Sequence, residues 1–277
     1  MNTPQQSSTN NSTSDESSLI ELLFLGTGTS HGVPMIGCDC DVCTSTDPKN
    51  KRTRCSALIR IAEPDTHILI DTSIDLRQQM LRHRITHIDA ILFTHHHADH
   101  VFGLDDVRTF TDRQGRIECY VPPVDEAWMR NVFGYAFGAP DVPDQGGLPR
   151  LDLNAVRGPF EIGGRRVIPI ELPHGPYVKV LGYRIGALAY LTDCNGIPDE
   201  AMQHLRGLDV LVLDALRPQP HPTHFSIDEA IAAARKINAR QTFFTHMSHR
   251  SDHGALAAYL PEGIRPAYDG LVVQTRS

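Results

Sequence analysis

Ile91-Leu92-Phe93-Thr94-His95-His96-His97-Ala98-Asp99-His100 decides how this chain is read: an apolar run suited to a buried strand leads straight into four histidines and an aspartate. So many metal-competent side chains at one point suit an ion site better than a packed core. Alternation along an extended segment throws His95 and His97 to one side, and Asp99 and His100 fall where the chain can turn into a helix. Such a strand-to-helix loop can offer one pair of ligands to one ion and the next pair to a second.

The pattern H-x-H-x-D-H resembles the signature of the metallo-β-lactamase superfamily, and that resemblance implies further ligands downstream. Candidates stand in the required order. His174 follows Val167-Ile168-Pro169-Ile170, Asp193 ends Leu188-Ala189-Tyr190-Leu191-Thr192, and His246 ends Gln241-Thr242-Phe243-Phe244-Thr245. Each closes an apolar run, where loop residues can converge on a site backed by a rigid sheet. Taken singly, His174 or Asp193 would read as an ordinary surface or capping residue; order and strand-end placement set them apart. The resemblance implies His95, His97 and His174 around one ion, Asp99, His100 and His246 around a second, and Asp193 bridging both. Asp71, at the end of Ile68-Leu69-Ile70, matches an aspartate that orients a ligating histidine. His96 occupies a variable position and is not expected to ligate.

A second signal comes from Cys38-Asp39-Cys40-Asp41-Val42-Cys43. The spacing is too tight for a disulfide framework and suits three corners of a zinc tetrahedron. Two residues compete for the fourth corner. Cys55 opens Cys55-Ser56-Ala57-Leu58-Ile59 and also reads as a small apolar residue of a buried strand. His249 lies three residues after His246, on a loop that already carries a metal candidate. Here the chain resembles one branch of the superfamily, the PhnP-type cyclic phosphodiesterases of phosphonate breakdown, whose structural zinc is held by C-x-C-x2-C and a late histidine. That resemblance runs from about residue 19 to 277 through Gly26–Pro34, Arg54-Cys55-Ser56 and Thr245–His249, and it implies Cys38, Cys40, Cys43 and His249 as the structural zinc site. Cys119 and Cys194 have no partner pattern and read as core or supporting residues. The glycine-rich start lacks G-x-G-x-x-G spacing and runs into cysteines where a crossover helix should begin, which speaks against a nucleotide-binding loop.

A chain of 277 residues can form one large α/β domain. Residues 1–18, rich in Ser, Thr, Asn and Gln, are expected to be a disordered tail, because they bury too little apolar surface to offset ordering. Residues 19–277 are expected to form one hydrolase domain with the structural zinc site embedded in it. Strand-like runs come first (Glu21 to Leu25, Ser56 to Ile61, His67 to Ile70, Ala90 to Phe93), and a second, similar set follows. Asp228 to Asn238 reads as a helix that Ser226 can cap, with Ile227, Ile231, Ala234 and Ile237 at helical spacing. The resemblance implies a four-layer αββα sandwich of two mixed sheets between helical layers. Residues 122 to 150 show no clean period and are expected either to cap the site or to pack on the surface.

No apolar run approaches a membrane span, and the opening Met1–Ser7 lacks the regions of a signal peptide. Thiols kept reduced for zinc fit a cytoplasmic location. A net charge of −7 gives no general attraction to a phosphate backbone, which disfavours nucleic acid as a partner. The implied chemistry is hydrolysis by hydroxide generated at two divalent ions, manganese or zinc, with one structural zinc elsewhere. Nothing in the chain supplies a rival nucleophile such as the serine of G-x-S-x-G. By resemblance the substrate is a small, cyclic phosphodiester such as 5-phosphoribosyl 1,2-cyclic phosphate, and a homodimer is expected. His224 matches the proton donor to the leaving group, with His221 as the alternative. Rival readings are a transfer-RNA 3′-endonuclease, a lactonase or thioesterase of the same superfamily, and a PqqB-like non-hydrolytic protein.

Overall fold

Strands that are apolar on both faces build the frame of this protein. In β1 (Leu19–Gly26), Ile20, Leu22 and Phe24 enter one buried layer while Leu23 and Leu25 enter another, as expected of a strand covered on both sides. The same alternation recurs in β2 (Ser56–Ile61), β3 (Thr66–Ile70) and β4 (Ala90–Leu92). The computed structural model describes residues 19–138 and 147–276. The stretch expected to be a tail lies outside the described residues.

With β5 (Ile117–Val121), β6 (Leu151–Ala155) and, at the far end of the chain, β14 (Val272–Arg276), these strands form a seven-stranded sheet in the order β14-β1-β2-β3-β4-β5-β6. The second sheet holds β7 (Phe160–Ile162), β8 (Arg165–His174), β9 (Val178–Ile185), β10 (Leu188–Leu191), β11 (Val210–Asp214), β12 (Gln241–Thr245) and β13 (Ile264–Pro266). Its order, β13-β12-β11-β10-β9-β8-β7, again has seven strands. Both sheets are mixed: β3 to β6 run parallel in one, β10 to β13 in the other, and the flanking pairs are antiparallel.

Three apolar layers follow from this stacking. Between the sheets lie Phe24, Ile59, Ile70, Tyr183, Tyr190, Val212 and Phe243. Outside the first sheet, Leu76 and Met80 of helix Leu76–His83, Phe110 of Arg108–Gln114 and Met129 of Glu126–Val132 pack on Leu58, Leu69 and Ile91. Outside the second, Ala230, Ala234 and Ile237 of helix Ile227–Ile237 and Leu256 of His253–Tyr259 pack on Leu211, Leu213 and Phe244. The architecture is the four-layer αββα sandwich in a single domain.

Helix Ile227–Ile237 begins one residue earlier than the sequence suggests. Ser226 caps it through a full capping box with Glu229, and Asn238 ends it at a left-handed φ of 58°. The unpatterned region contributes helix Glu126–Val132, too short to show a period, and residues 139–146 lie outside the described residues. The glycine-rich start serves close packing: a Cβ on Gly28 would sit 2.8 Å from the Arg52 carbonyl oxygen, on a segment that bridges both Arg54 and Met247. No helix among the described residues is long and apolar enough to cross a membrane.

Candidate metal centres

The two parallel half-sheets deliver their functional residues at strand ends, and they bend the backbone to do so. Among described non-glycine residues, positive φ occurs at Arg84 and Asn238, which close helices, and at Asp71 (59°), Asp193 (55°) and His246 (59°). These three stand just past β3, β10 and β12. A left-handed residue with a Cβ costs roughly 1–2 kcal/mol and persists only where its surroundings over-determine it.

The expected ligands meet there. His95, His97 and His174 bring ligand atoms within 4.8 Å of one another, as do Asp99, His100 and His246, and as do His95, His100 and Asp193. Asp193 stands between the sets, with Oδ2 3.3 Å from His100 Nε2 and Oδ1 3.3 Å from His246 Nε2 and 4.0 Å from His95 Nε2. His96 turns aside, to a hydrogen bond with Asp125 (2.7 Å) and a contact with the Trp128 ring. The helix that carries Trp128 therefore lies against the rim of the site.

What fixes each ring is its other nitrogen. His100 Nδ1 donates to Asp71 Oδ2 at 2.7 Å. The hydroxyl of Thr94 donates to the same oxygen, so it accepts from His95 Nδ1 at 3.0 Å. His174 Nδ1 donates to the Thr223 carbonyl at 2.9 Å. Asp71 thus takes the orienting place that the sequence assigned to it, and in each case Nε2 is left facing the cluster.

These Nε2 atoms have no other use. Those of His95, His100 and His246 are buried without any hydrogen-bond partner, an arrangement that native interiors avoid unless something binds there. Burial holds His95, His97 and His174 below the ordinary histidine range, so they are neutral, the form in which imidazole ligates. Burial works to raise Asp99 and Asp193, yet His100 and His246 hold both carboxyls below their usual range. Burial works against a charge on His100, yet without an ion the carboxylates Asp193, Asp99 and Asp71 hold it well above the ordinary histidine range, as a cation in their midst would be held. Three neutral imidazoles, two ionised carboxylates and the unpartnered Nε2 atoms of His95, His100 and His246 fit divalent cations.

Asp214, at the end of β11, is the residue that sequence reasoning missed. It is fully buried, accepts from His224 Nδ1 at 3.2 Å and from the Phe225 backbone N–H at 3.0 Å, and lies 3.5 Å from His246 Nδ1. It was findable: Val210-Leu211-Val212-Leu213-Asp214 is an apolar run closed by an aspartate, like those before Asp71 and Asp193. His224 is buried beside the cluster, its ring 4.8 Å from that of His174 and 4.7 Å from that of His246. Burial opposes its protonation, but the Asp214 carboxylate prevails and lifts its pKa to about 9. His221, the alternative, sits further out, 5.2 Å beyond His224.

The thiols gather as a second group. Cys38, Cys40, Cys43 and His249 bring their ligand atoms within 4.8 Å of one another, and His249 Nδ1 is 3.3 Å from Cys38 Sγ and 3.4 Å from Cys40 Sγ. A backbone hydrogen bond at Cys43 and the nearby His249 lower the Cys40 pKa to about 6, whereas burial pushes Cys43 up to about 11. Three sulfurs and an imidazole nitrogen at this spacing suit zinc. Cys55 is elsewhere, between the sheets, against the hydroxyls of Tyr190 (3.2 Å) and Thr245 (3.3 Å). Cys119 and Cys194 are buried in apolar layers.

Arg52 ties this region down and was not visible as such in the sequence. Its side chain is fully buried and donates to the carbonyls of Ser248 (3.2 Å) and Ser251 (2.8 Å) and to Asn50 Oδ1 (3.2 Å). These bonds grip the loop that runs from His246 through His249.

Similarities to known proteins agree with this geometry. The family described as the Beta-lactamase superfamily domain matches residues 66–247. The crystal structure of a diphosphatase from the PhnP family superposes with a TM-score of 0.85 at 42% identity, covering 93% of this chain and 97% of that one. An octanoyltransferase of Porphyromonas gingivalis (strain ATCC BAA-308 / W83) is 39% identical over 254 residues, 90% of this chain, but the chain spans only 50% of that relative's length. Zn(2+)-bound PqqB from Methylobacterium extorquens shares the fold, with a TM-score of 0.75 at 21% identity, covering 91% of this chain and 99% of that one.

Proposed function

The chain belongs to the β-lactamase superfamily and, within it, to the PhnP family, and from that premise we propose that this hydrolase cleaves a small phosphodiester, a cyclic one such as 5-phosphoribosyl 1,2-cyclic phosphate. One observation favours an oxygen leaving group over the thiolate of a thioester. His224 is buried beside both ligand sets with Nδ1 committed to Asp214, so Nε2 is the nitrogen free to give up a proton. A thiolate leaving group needs no such donor; an alkoxide leaving phosphorus does.

Two divalent ions, zinc or manganese, held by His95, His97 and His174 and by Asp99, His100 and His246 with Asp193 between, would supply an acidified water and charge neutralisation at phosphorus. The chain's own residues do the rest. Asp71 and Thr94 hold His100 and His95 in the tautomer that turns Nε2 inward. Asp214 keeps His224 protonated and aligned, and the same carboxylate lies within 3.5 Å of His246, so proton donor and ligand are set by one group. Cys38, Cys40, Cys43 and His249 would hold a structural zinc that braces the loop bearing His246.

The test is metal analysis of freshly purified protein together with hydrolysis assays on bis-p-nitrophenyl phosphate, a ribosyl 1,2-cyclic phosphate, a thioester and a lactone. Three bound ions per chain and turnover of the phosphodiesters are expected. Turnover confined to the thioester or lactone would sink the phosphodiesterase reading.

A further inference from the structure

Cys55, which takes no part in the thiol cluster, sits at the centre of a buried polar group beneath the catalytic ligands. It stands at the head of β2 in the first sheet and meets three hydroxyls carried by the second: those of Tyr190 at 3.2 Å, Thr245 at 3.3 Å and Thr192 at 3.7 Å. All four side chains are fully buried, beside the apolar layer between the sheets. Valine at such positions would avoid the cost of desolvating a hydroxyl, so the polar atoms call for an explanation.

Their hydrogens can be assigned. Among the described residues the Tyr190 and Thr245 hydroxyls have no other partner, so each gives its hydrogen to the sulfur. Thr192 Oγ1 donates to Asp193 Oδ2 at 2.6 Å, which leaves it free to accept the thiol hydrogen. Burial pushes the Cys55 thiol up to about 11, so that hydrogen is retained. The result is a one-way chain from Tyr190 and Thr245 through Cys55 and Thr192 to the carboxylate that stands between the two ligand sets. Hydrogen bonds aligned head to tail polarise one another, which strengthens the last of them.

The turn at Asp193 makes that last bond possible. Neighbouring side chains of an extended strand point to opposite faces, and the φ of 55° ends the alternation, so the carboxylate meets the hydroxyl of the residue before it. Oδ2 is then shared by Thr192 and His100, while Oδ1 faces His95 and His246, one from each ligand set.

Resting on the assignment of Asp193 as a ligand shared by two ions, we propose that Thr192 and Cys55 are positioning residues, which fix the rotation of the Asp193 carboxylate so that it serves both ligand sets at once. Neither residue touches the substrate. A carboxylate free to rotate would serve one ion at the expense of the other.

Manganese titration of protein freed of its histidine-bound ions reads this without turnover. Thr192→Val keeps the shape and removes the donor; it should weaken binding of the second manganese ion by about tenfold or more, the usual effect of losing a group that orients a ligand. Thr192→Ser should restore the wild-type affinity. Cys55→Ala, one step further back in the chain, should fall between T192V and wild type. With two manganese ions added per chain, the paramagnetic resonance spectrum should show coupled ions in wild type and T192S, and a larger share of uncoupled ions in T192V. A merely structural role would instead lower the melting temperature of ion-free T192V and leave its manganese affinity and spectrum unchanged. That outcome, or equal affinities in T192V and T192S, would overturn the proposal. Uncoupled ions in the wild type would overturn the shared-ligand assignment, and the affinity ratio of T192V to T192S would still judge the hydroxyl, because Asp193 would then ligate a single ion.

Discussion

The histidine and aspartate cluster draws its ligands from the ends of four strands and steadies the rings of His95, His100 and His174 through their second nitrogens. The thiol cluster takes three of its four candidates from one short loop, packed against the small apolar group of Val33, Met35 and Val42. The first is shaped by the whole sandwich before any ion arrives. On the proposed reading, the second would rely on a zinc ion to hold it, together with the Arg52 clamp on the loop that carries His249. A preorganised site should lose function but not fold when a ligand is removed, and a metal-organised site should lose local structure as well.

The most severe test of that contrast is Asp99→Ala. It should lower phosphodiester turnover by ~10³-fold or more, because several kcal/mol of charge stabilisation goes with the ions, while circular dichroism and melting temperature stay near wild type. A variant that is folded and fully active would break the assignment of the cluster to catalysis.

Next comes His224→Ala, expected to slow hydrolysis of a ribosyl phosphodiester by ~10² and that of a p-nitrophenyl ester far less, since nitrophenolate leaves unaided. With the His224 pKa raised to about 9, the acid form predominates below that pH and is lost above it. The wild-type rate on a poor leaving group should therefore fall as pH rises past about 9, and the variant should lack that limb. Equal losses on both esters would mark His224 as a binding residue.

His249→Ala should act on the second region and reach the first only through the loop. One zinc per chain should be lost, the melting temperature should drop, and affinity for the metal position that includes His246 should fall by ~10-fold, in line with the effect of removing a supporting group. Excess metal should partly restore activity. Unchanged zinc content by atomic absorption would show that the thiols do not need His249.

The smallest effect is expected from Arg52→Met, which strips donors from two buried carbonyls at about 1–3 kcal/mol and should appear as a lower melting temperature with the thiol zinc retained. Loss of that zinc would mean that the fold, and not the ion, organises the thiol site, and the contrast would collapse.

What the sequence disclosed follows the same division. Ligands that close apolar runs could be read because strand periodicity and metal chemistry coincide there, as at His95–His100, Asp193 and His246. The choice between Cys55 and His249 needed three dimensions. Cys55 starts a buried strand and falls on the layer between the sheets, whereas His249 reaches the thiols only because its loop folds back across Arg52. Asp214 closes an apolar run as Asp71 and Asp193 do, so its place was legible; its task, holding both His224 and His246, is recorded only in three dimensions. Arg52 escaped because a lone arginine between loops looks solvated until tertiary packing encloses it. The region around Trp128 stayed mute because helix Glu126–Val132 is too short for a period to emerge.

The left-handed backbone at Asp71, Asp193 and His246 narrows what these positions can become. Aspartate, asparagine and histidine are the non-glycine residues most often found in that conformation, and aspartate and histidine are also good ligands for hard and borderline cations. Two unrelated demands, one from torsion angles and one from coordination chemistry, thus select from the same short list. Glutamate at position 193 would meet the chemical demand and fail the conformational one, so drift at these corners should be confined to Asp, Asn and His. A survey of main-chain torsions over the described non-glycine residues would mark the same three corners once helix ends were set aside.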